Sequence, residues 1–216
     1  MEKAGFFTKE IGIVVEGEND REFIFRLCEK LGLANFEVKK VSGRGGKTDF
    51  FGKQNNFNID KISALVDKTS ENPKNLLLIC DADFTENKKS YDGFQNTKST
   101  LQPIVSRLKK KFKNKEISFF ILPNNKDDGN LDSLFLECAN SKVTKKLNCV
   151  DDYLKCLGEK PSINKKDKLY AQLLISATGH QKDYKNVGDV ADEKAGYWNF
   201  DHKSLDPLKK FLNKIK

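Results

Sequence analysis

Histidine is nearly absent: the 216 residues include only His180 and His202. Neither stands at a zinc-like spacing from a cysteine, and the five cysteines form no CxxC pair. A zinc site is therefore excluded. The cysteines (Cys28, Cys80, Cys138, Cys149 and Cys156) are odd in number, and several have apolar neighbours. They read as buried free thiols in a reducing cytosol rather than as a disulfide framework. No long apolar segment lies near the N-terminus, so neither a signal peptide nor a membrane span is expected. The chain is read as soluble and cytoplasmic. No internal repeat is found. A P-loop is missing too. The loop Ser42-Gly43-Arg44-Gly45-Gly46-Lys47-Thr48 ends in GKT, but the position needing the first glycine of that motif holds Val41.

What the chain has is charge, phenylalanine and alternation. It carries 39 basic and 31 acidic residues, a formal net charge of +8. That excess favours polyanionic partners such as nucleic acid, and serves equally to keep the protein soluble. The apolar fraction is 38%, and 16 Phe supply much of the material for a full-sized core. Apolar runs at 11–15 (IGIVV), 76–80 (LLLIC) and 117–122 (ISFFIL) predict buried strands, with a further strand at 36–41. Between them lie helical spacings. Phe23, Ile24, Leu27 and Leu31 share a face, as do Ile59, Ile62, Leu65 and Val66. So do Leu101, Ile104, Val105, Leu108 and Phe112, and then Leu131, Leu134, Phe135 and Cys138. Asn19 with Glu22 predicts the cap of the first helix and Gly32 its stop; Asn58 predicts the cap of the second. The polar stretches 84–97 and 123–130 are expected to be mobile loops.

This β-α order predicts an α/β fold with a mainly parallel sheet flanked by helices. Residues 1–140 would form the core. Residues 141–216 read as a helical C-terminal extension, with helices at 165–177 and 204–215, packed on that core.

In such a sheet, functional groups gather at the carboxyl ends of the strands. Glu16 ends the first strand, and Asp81 and Asp83 follow LLLIC. Neighbouring strands would bring these carboxylates into one crevice, where mutual repulsion calls for a cation. Mg²⁺ (or Mn²⁺) suits carboxylate ligands and bridges to phosphate. Asp20, four residues after Glu16, is a candidate ligand for a second metal. Asp132, after the last strand, is a possible additional ligand, although an acidic residue there also suits the first turn of a helix. Arg44 and Lys47 are candidate phosphate contacts on the Gly-rich loop, weighed equally against an ordinary connection. The run Lys109-Lys110-Lys111 with Lys113 reads as a solvated helix face. Tyr197 and Trp198 suit base stacking, but packing against the last helix is the safer reading.

The pairing of IVVEG with LLLICDAD, separated by a helix, resembles the Toprim domain shared by topoisomerases, bacterial primases, a ribosomal-RNA maturation nuclease and the OLD-family nucleases. The resemblance covers roughly residues 10–140. It matches Glu16 to that family's glutamate, and Asp81 and Asp83 to its Asp-x-Asp. Glu16-x-x-x-Asp20 is closest to the nuclease-like branches, and Lys168 stands where an OLD-type lysine would stabilise phosphate charge. LPNNKDDGNLDSLFLE and YWNF resemble a small uncharacterised bacterial group with Toprim-like cores. The competing reading is a doubly wound domain whose strand-end carboxylates bind another ligand or cap helices.

The chain is too short for topoisomerase strand passage, and a primase needs further modules. The resemblance therefore implies a small Mg²⁺-dependent nuclease on DNA or RNA, with catalysis by Glu16, Asp81 and Asp83. The alternative is a non-catalytic nucleotide- or nucleic-acid-binding module beside an ATPase partner, as in a phage-defence pair. No membrane partner is expected.

Overall fold

The computed structural model describes residues 5–41, 59–67, 69–87, 89–158, 160–161, 163–178 and 184–215. Its centre is a four-stranded parallel sheet in the order β2-β1-β3-β4. The strands are β1 (Ile11–Val15), β2 (Phe36–Lys40), β3 (Asn75–Asp81) and β4 (Glu116–Leu122). Each lies within a residue of its predicted bounds; β1, β3 and β4 are apolar runs, whereas β2 (FEVKK) buries only Val38. Parallel neighbours require crossovers, and helices supply them. The α/β fold class is as expected.

Helix α1 (Glu18–Lys30) follows β1. Its cap corrects the expected Asn19–Glu22 arrangement. Gly17 is the N-cap in an extended conformation, and Asp20 reaches back to accept its N–H at 2.9 Å. Glu22 instead pairs with Arg21. Gly32, at φ +64°, closes the helix as predicted. Helix α2 (Ile59–Ser63) is short, and the expected cap Asn58 lies outside the described residues.

Helix α3 (Phe94–Lys111) joins β3 to β4. It starts well before its apolar stripe, so the last four residues of the expected 84–97 loop are helical. A 3-10 turn occupies Thr85–Asn87 within it. The 123–130 segment is also tied down. Asn125 accepts the Ile121 N–H at 3.2 Å, and Asn124 accepts those of Lys126 and Asp127. Helix α4 (Leu131–Cys138) follows, buried through Leu131, Leu134, Phe135 and Cys138 as predicted.

After α4 come α5 (Ser141–Thr144), α6 (Leu147–Cys156), α7 (Ile163–Thr178) and α8 (Asp206–Asn213). Among the described residues this region adds no strand, only an isolated bridge between Ala139 and Trp198.

Strand alternation splits the core into two faces. Val14, Leu76, Leu78 and Cys80 pack toward α2 and α3. Ile13, Val15, Leu77 and Ile79 pack toward α1, α4, α7 and α8. Residues after 141 bury their apolar side chains in that second cluster rather than in a core of their own. Trp198 is central to it. Its ring stacks on Phe23 of α1 at 4.4 Å and meets Phe135 of α4 edge-on at 5.2 Å. Its Nε1 donates to the Val187 carbonyl at 3.0 Å. Trp198 thus packs on α1 and α4, in the same core cluster as Leu208 and Leu212 of the last helix, and its ring is buried. No helix among the described residues is long and apolar enough to cross a membrane.

Candidate functional site

The first link of the site follows directly from the sheet. β1 and β3 are hydrogen-bonded neighbours running in parallel, so their carboxyl ends meet. Glu16, one residue past β1, is 5% exposed, and its Oε1 accepts the backbone N–H of Asp81 at 3.1 Å. The two motifs are therefore joined by a hydrogen bond between the strand ends.

Asp81 closes β3 and turns toward α4, where its Oδ1 accepts the Leu131 N–H at 3.1 Å. Leu131 is the first residue of α4, so the carboxylate sits at the positive end of the helix dipole. Asp83 adopts φ +57°, a left-handed conformation that is uncommon outside glycine. Two backbone hydrogen bonds hold it there. Its N–H donates to the Gly129 carbonyl at 2.7 Å, and its carbonyl accepts the Gly129 N–H at 2.9 Å.

Asp20 approaches from α1. Burial pushes its pKa from 3.8 up to about 6; the N–H groups of Gly17 and Asp20 oppose the shift, and the charges of Asp132 and Asp83 add to it. Asp132, in the first turn of α4, is raised chiefly by burial. Lys168 on α7 counters that shift and Asp167 adds to it. Asp20, Asp83 and Asp132 thus share one negative field, with Lys168 beside it. Gly188 fixes the outer side of α1. A Cβ there would come within 2.5 Å of the Asn19 carbonyl oxygen and 2.6 Å of its Cα, so the 184–191 segment rests directly on the first turn of the helix.

Other sequence-predicted residues lie elsewhere. Arg44 and Lys47 fall outside the described residues. Lys109, Lys110 and Lys111 end α3, which starts at the carboxyl end of β3 and runs back to the start of β4. At 1.5 Å per residue, the 15 to 17 residues that separate them from Phe94 put them about 22–26 Å from the start of the helix. They are remote from the carboxylates. Asp128 and Gly129 were not singled out from the sequence. Their signal is the Asp-Gly of KDDGN, a turn dipeptide, read there only as part of a polar loop.

The donors are all carboxylate oxygens, and the charges of Asp132 and Asp83, which add to the burial that raises Asp20, are ones that a hard divalent cation would relieve. In donor chemistry the cluster fits Mg²⁺. In geometry it is open: among the described residues, no group of three or more His, Cys, Asp or Glu side chains is arranged to hold a metal ion. Asp81 and Asp20 instead turn to backbone N–H groups.

The Asp20 shift has a defined consequence. The folded protein holds this proton more tightly than the unfolded chain, so ionisation penalises folding. The penalty is absent below 3.8, grows as pH rises, and is complete above about 6. Asp20→Asn keeps an oxygen for the Gly17 N–H and removes the charge. In chelator, the variant is expected to be more stable than the parent at pH 8 and equal to it near pH 3.5. Urea titrations at both pH values measure this. An unchanged difference across pH would locate the penalty elsewhere.

Neither the curated proteins nor the solved structures include a match to the chain. A family model described as a protein of unknown function, DUF3226, matches residues 11–216, and the chain belongs to that family.

Proposed function

We propose that the chain is a Toprim-type, Mg²⁺-dependent nuclease that hydrolyses phosphodiester bonds of DNA or RNA. The observation that carries this reading is the hydrogen bond from the Asp81 N–H to the Glu16 carboxylate, which joins the Glu-Gly motif to the Asp-x-Asp motif at the ends of adjacent strands. Asp81, Asp83 and Glu16 would hold the cation, with Asp20 and Asp132 available to a second. A cation held there would neutralise phosphate charge and lower the pKa of water.

The chain's own groups do the rest. Glu16, buried against the end of β3, would act as ligand or as general acid or base. Lys168, exposed and within electrostatic reach of Asp132, would meet developing phosphate charge. Cys28, Cys80 and Cys138 are buried thiols, as expected, whereas Cys149 and Cys156 are exposed. One observation favours the second reading, a non-catalytic nucleotide- or nucleic-acid-binding module working with an ATPase partner. That observation is the open arrangement of the carboxylates.

A cleavage screen in Mg²⁺ and Mn²⁺ over single- and double-stranded DNA and RNA separates the two readings. Cation-dependent products support the nuclease. Binding with no product on any substrate supports the module.

Binding itself has a salt signature. Phosphate contacts release counterions, so affinity is expected to fall steeply as salt rises. Measured by anisotropy in chelator, Lys168→Ala is expected to reduce the log–log slope by about 0.9, one phosphate contact. Lys110→Ala, remote from the carboxylates, should leave the slope unchanged. Binding that ignores salt would leave the charge excess to solubility alone.

A further inference from the structure

We propose that Asp128 is a positioning residue for the acidic site, setting Asp83 and Asp81 through the four-residue stretch 128–131. The inference rests on the reading of these carboxylates as cation ligands.

Asp128 sits in the β4–α4 connection, yet both its oxygens are engaged by a distant part of the chain. Oδ1 accepts the N–H of Phe94, the first residue of α3, at 2.6 Å. Oδ2 accepts the Thr85 hydroxyl at 2.6 Å and the Thr85 N–H at 3.2 Å. One carboxylate thus closes both ends of the loop that follows Asp83. Such charge-assisted bonds to backbone and hydroxyl donors are among the stronger hydrogen bonds in proteins.

The residues after Asp128 complete the device. Gly129 makes the paired backbone hydrogen bonds that hold Asp83 at positive φ. Leu131 donates its N–H to the Asp81 carboxylate. The backbone of Asp83 and the carboxylate of Asp81 are therefore both held by one short segment, and the Asp128 side chain anchors that segment. Close packing leaves the clamp little freedom. Gly93 lies at φ +90°, and a Cβ there would come within 2.3 Å of Thr85 Oγ1 and 3.3 Å of Asp128 Oδ2. The left-handed Asp83 is a costly conformation that persists only where its surroundings enforce it. The Asp128 clamp and the Gly129 bridge are those surroundings.

The test uses the full chain and Mn²⁺ alone, with affinity read by electron paramagnetic resonance and melting temperature read in chelator. Asp128→Ala is expected to weaken Mn²⁺ binding roughly tenfold or more, the scale on which groups supporting a ligand act. Thr85→Val removes one arm of the clamp and should weaken binding by a smaller factor. Thr85→Ser restores the hydroxyl and should restore parental affinity. Variants that melt earlier but bind Mn²⁺ as the parent does would make Asp128 a plain helix cap and overturn the proposal. If Asp128→Ala does not fold, the Thr85→Val and Thr85→Ser pair decides by the same criterion. A parent that binds no Mn²⁺ removes the cation-site reading and this inference together. A parent whose Mn²⁺ binding falls in Glu16→Gln but not in Asp128→Ala removes only the inference.

Discussion

Replacing Asp81 with asparagine is expected to lower cation-dependent cleavage by at least ~100-fold, since even groups that merely support a metal ligand are worth 10- to 100-fold. The fold should survive the change. The asparagine Oδ1 can still accept the Leu131 N–H that Asp81 accepts at 3.1 Å, so the start of α4 keeps its cap. Relief of repulsion in the acidic region offsets the lost attraction to the α4 dipole, so melting in chelator should change little. Glu16→Gln is expected to behave alike, because its amide oxygen can still accept the Asp81 N–H. The informative result is the divergence: activity lost, stability kept. Two variants cleaving at the parental rate, or a parent active in excess chelator, would end the nuclease reading.

Trp198→Ala is expected to cost about 3–5 kcal/mol, the range for truncating a large buried aromatic. Trp198 is 6% exposed and shares ring contacts with Phe23, Phe135 and Phe200. Truncation removes those contacts and leaves the Val187 carbonyl without its indole donor. Such a loss is a large share of a typical domain's stability. Urea unfolding would show it as a lower midpoint. A loss under about 1 kcal/mol would mean that the site collapses around the gap. Phe23 stands on α1 three residues after Asp20, so the same change should loosen the helix that carries this carboxylate. Trp198→Phe, which keeps a stacked ring, should recover much of the loss.

The sheet was legible because its signals are local. IGIVV, LLLIC and ISFFIL each declare a buried strand, and a Glu-Gly and an Asp-x-Asp at two strand ends place the acidic residues together if the strands are neighbours. Most of the misread features depend on partners far along the chain; the cap of α1 is the local exception. The start of α3 has no apolar stripe in FQNTKST, and Asp128, 34 residues later, accepts the Phe94 N–H. The cap of α1 looked like Asn19 by residue type, but Gly17 needs no side chain to begin a helix when Asp20 reaches back. Lys168 stands beside Asp132 because α7 packs on α4, which no local pattern announces. The aromatic partners of Trp198 were hidden for the same reason. Its residue type predicted burial, but only tertiary packing chooses between the last helix and α1.

The two faces of the sheet close at different times while the chain is being made. All described apolar residues on the α2–α3 face lie between Phe7 and Ile121, so a nascent chain can bury that face as soon as β4 leaves the ribosome. The opposite face waits for Trp198, Leu205, Leu208 and Leu212. At about 5–20 residues per second, the stretch from Ile121 to Leu212 takes roughly 5–20 s to synthesise. During that interval Ile13, Val15, Leu77 and Ile79 are paired in the sheet but lack the C-terminal part of their cover. The half-finished protein therefore presents a sticky plane to chaperones and to neighbouring chains, and α1 acquires its aromatic backing only when Trp198 and Phe200 arrive.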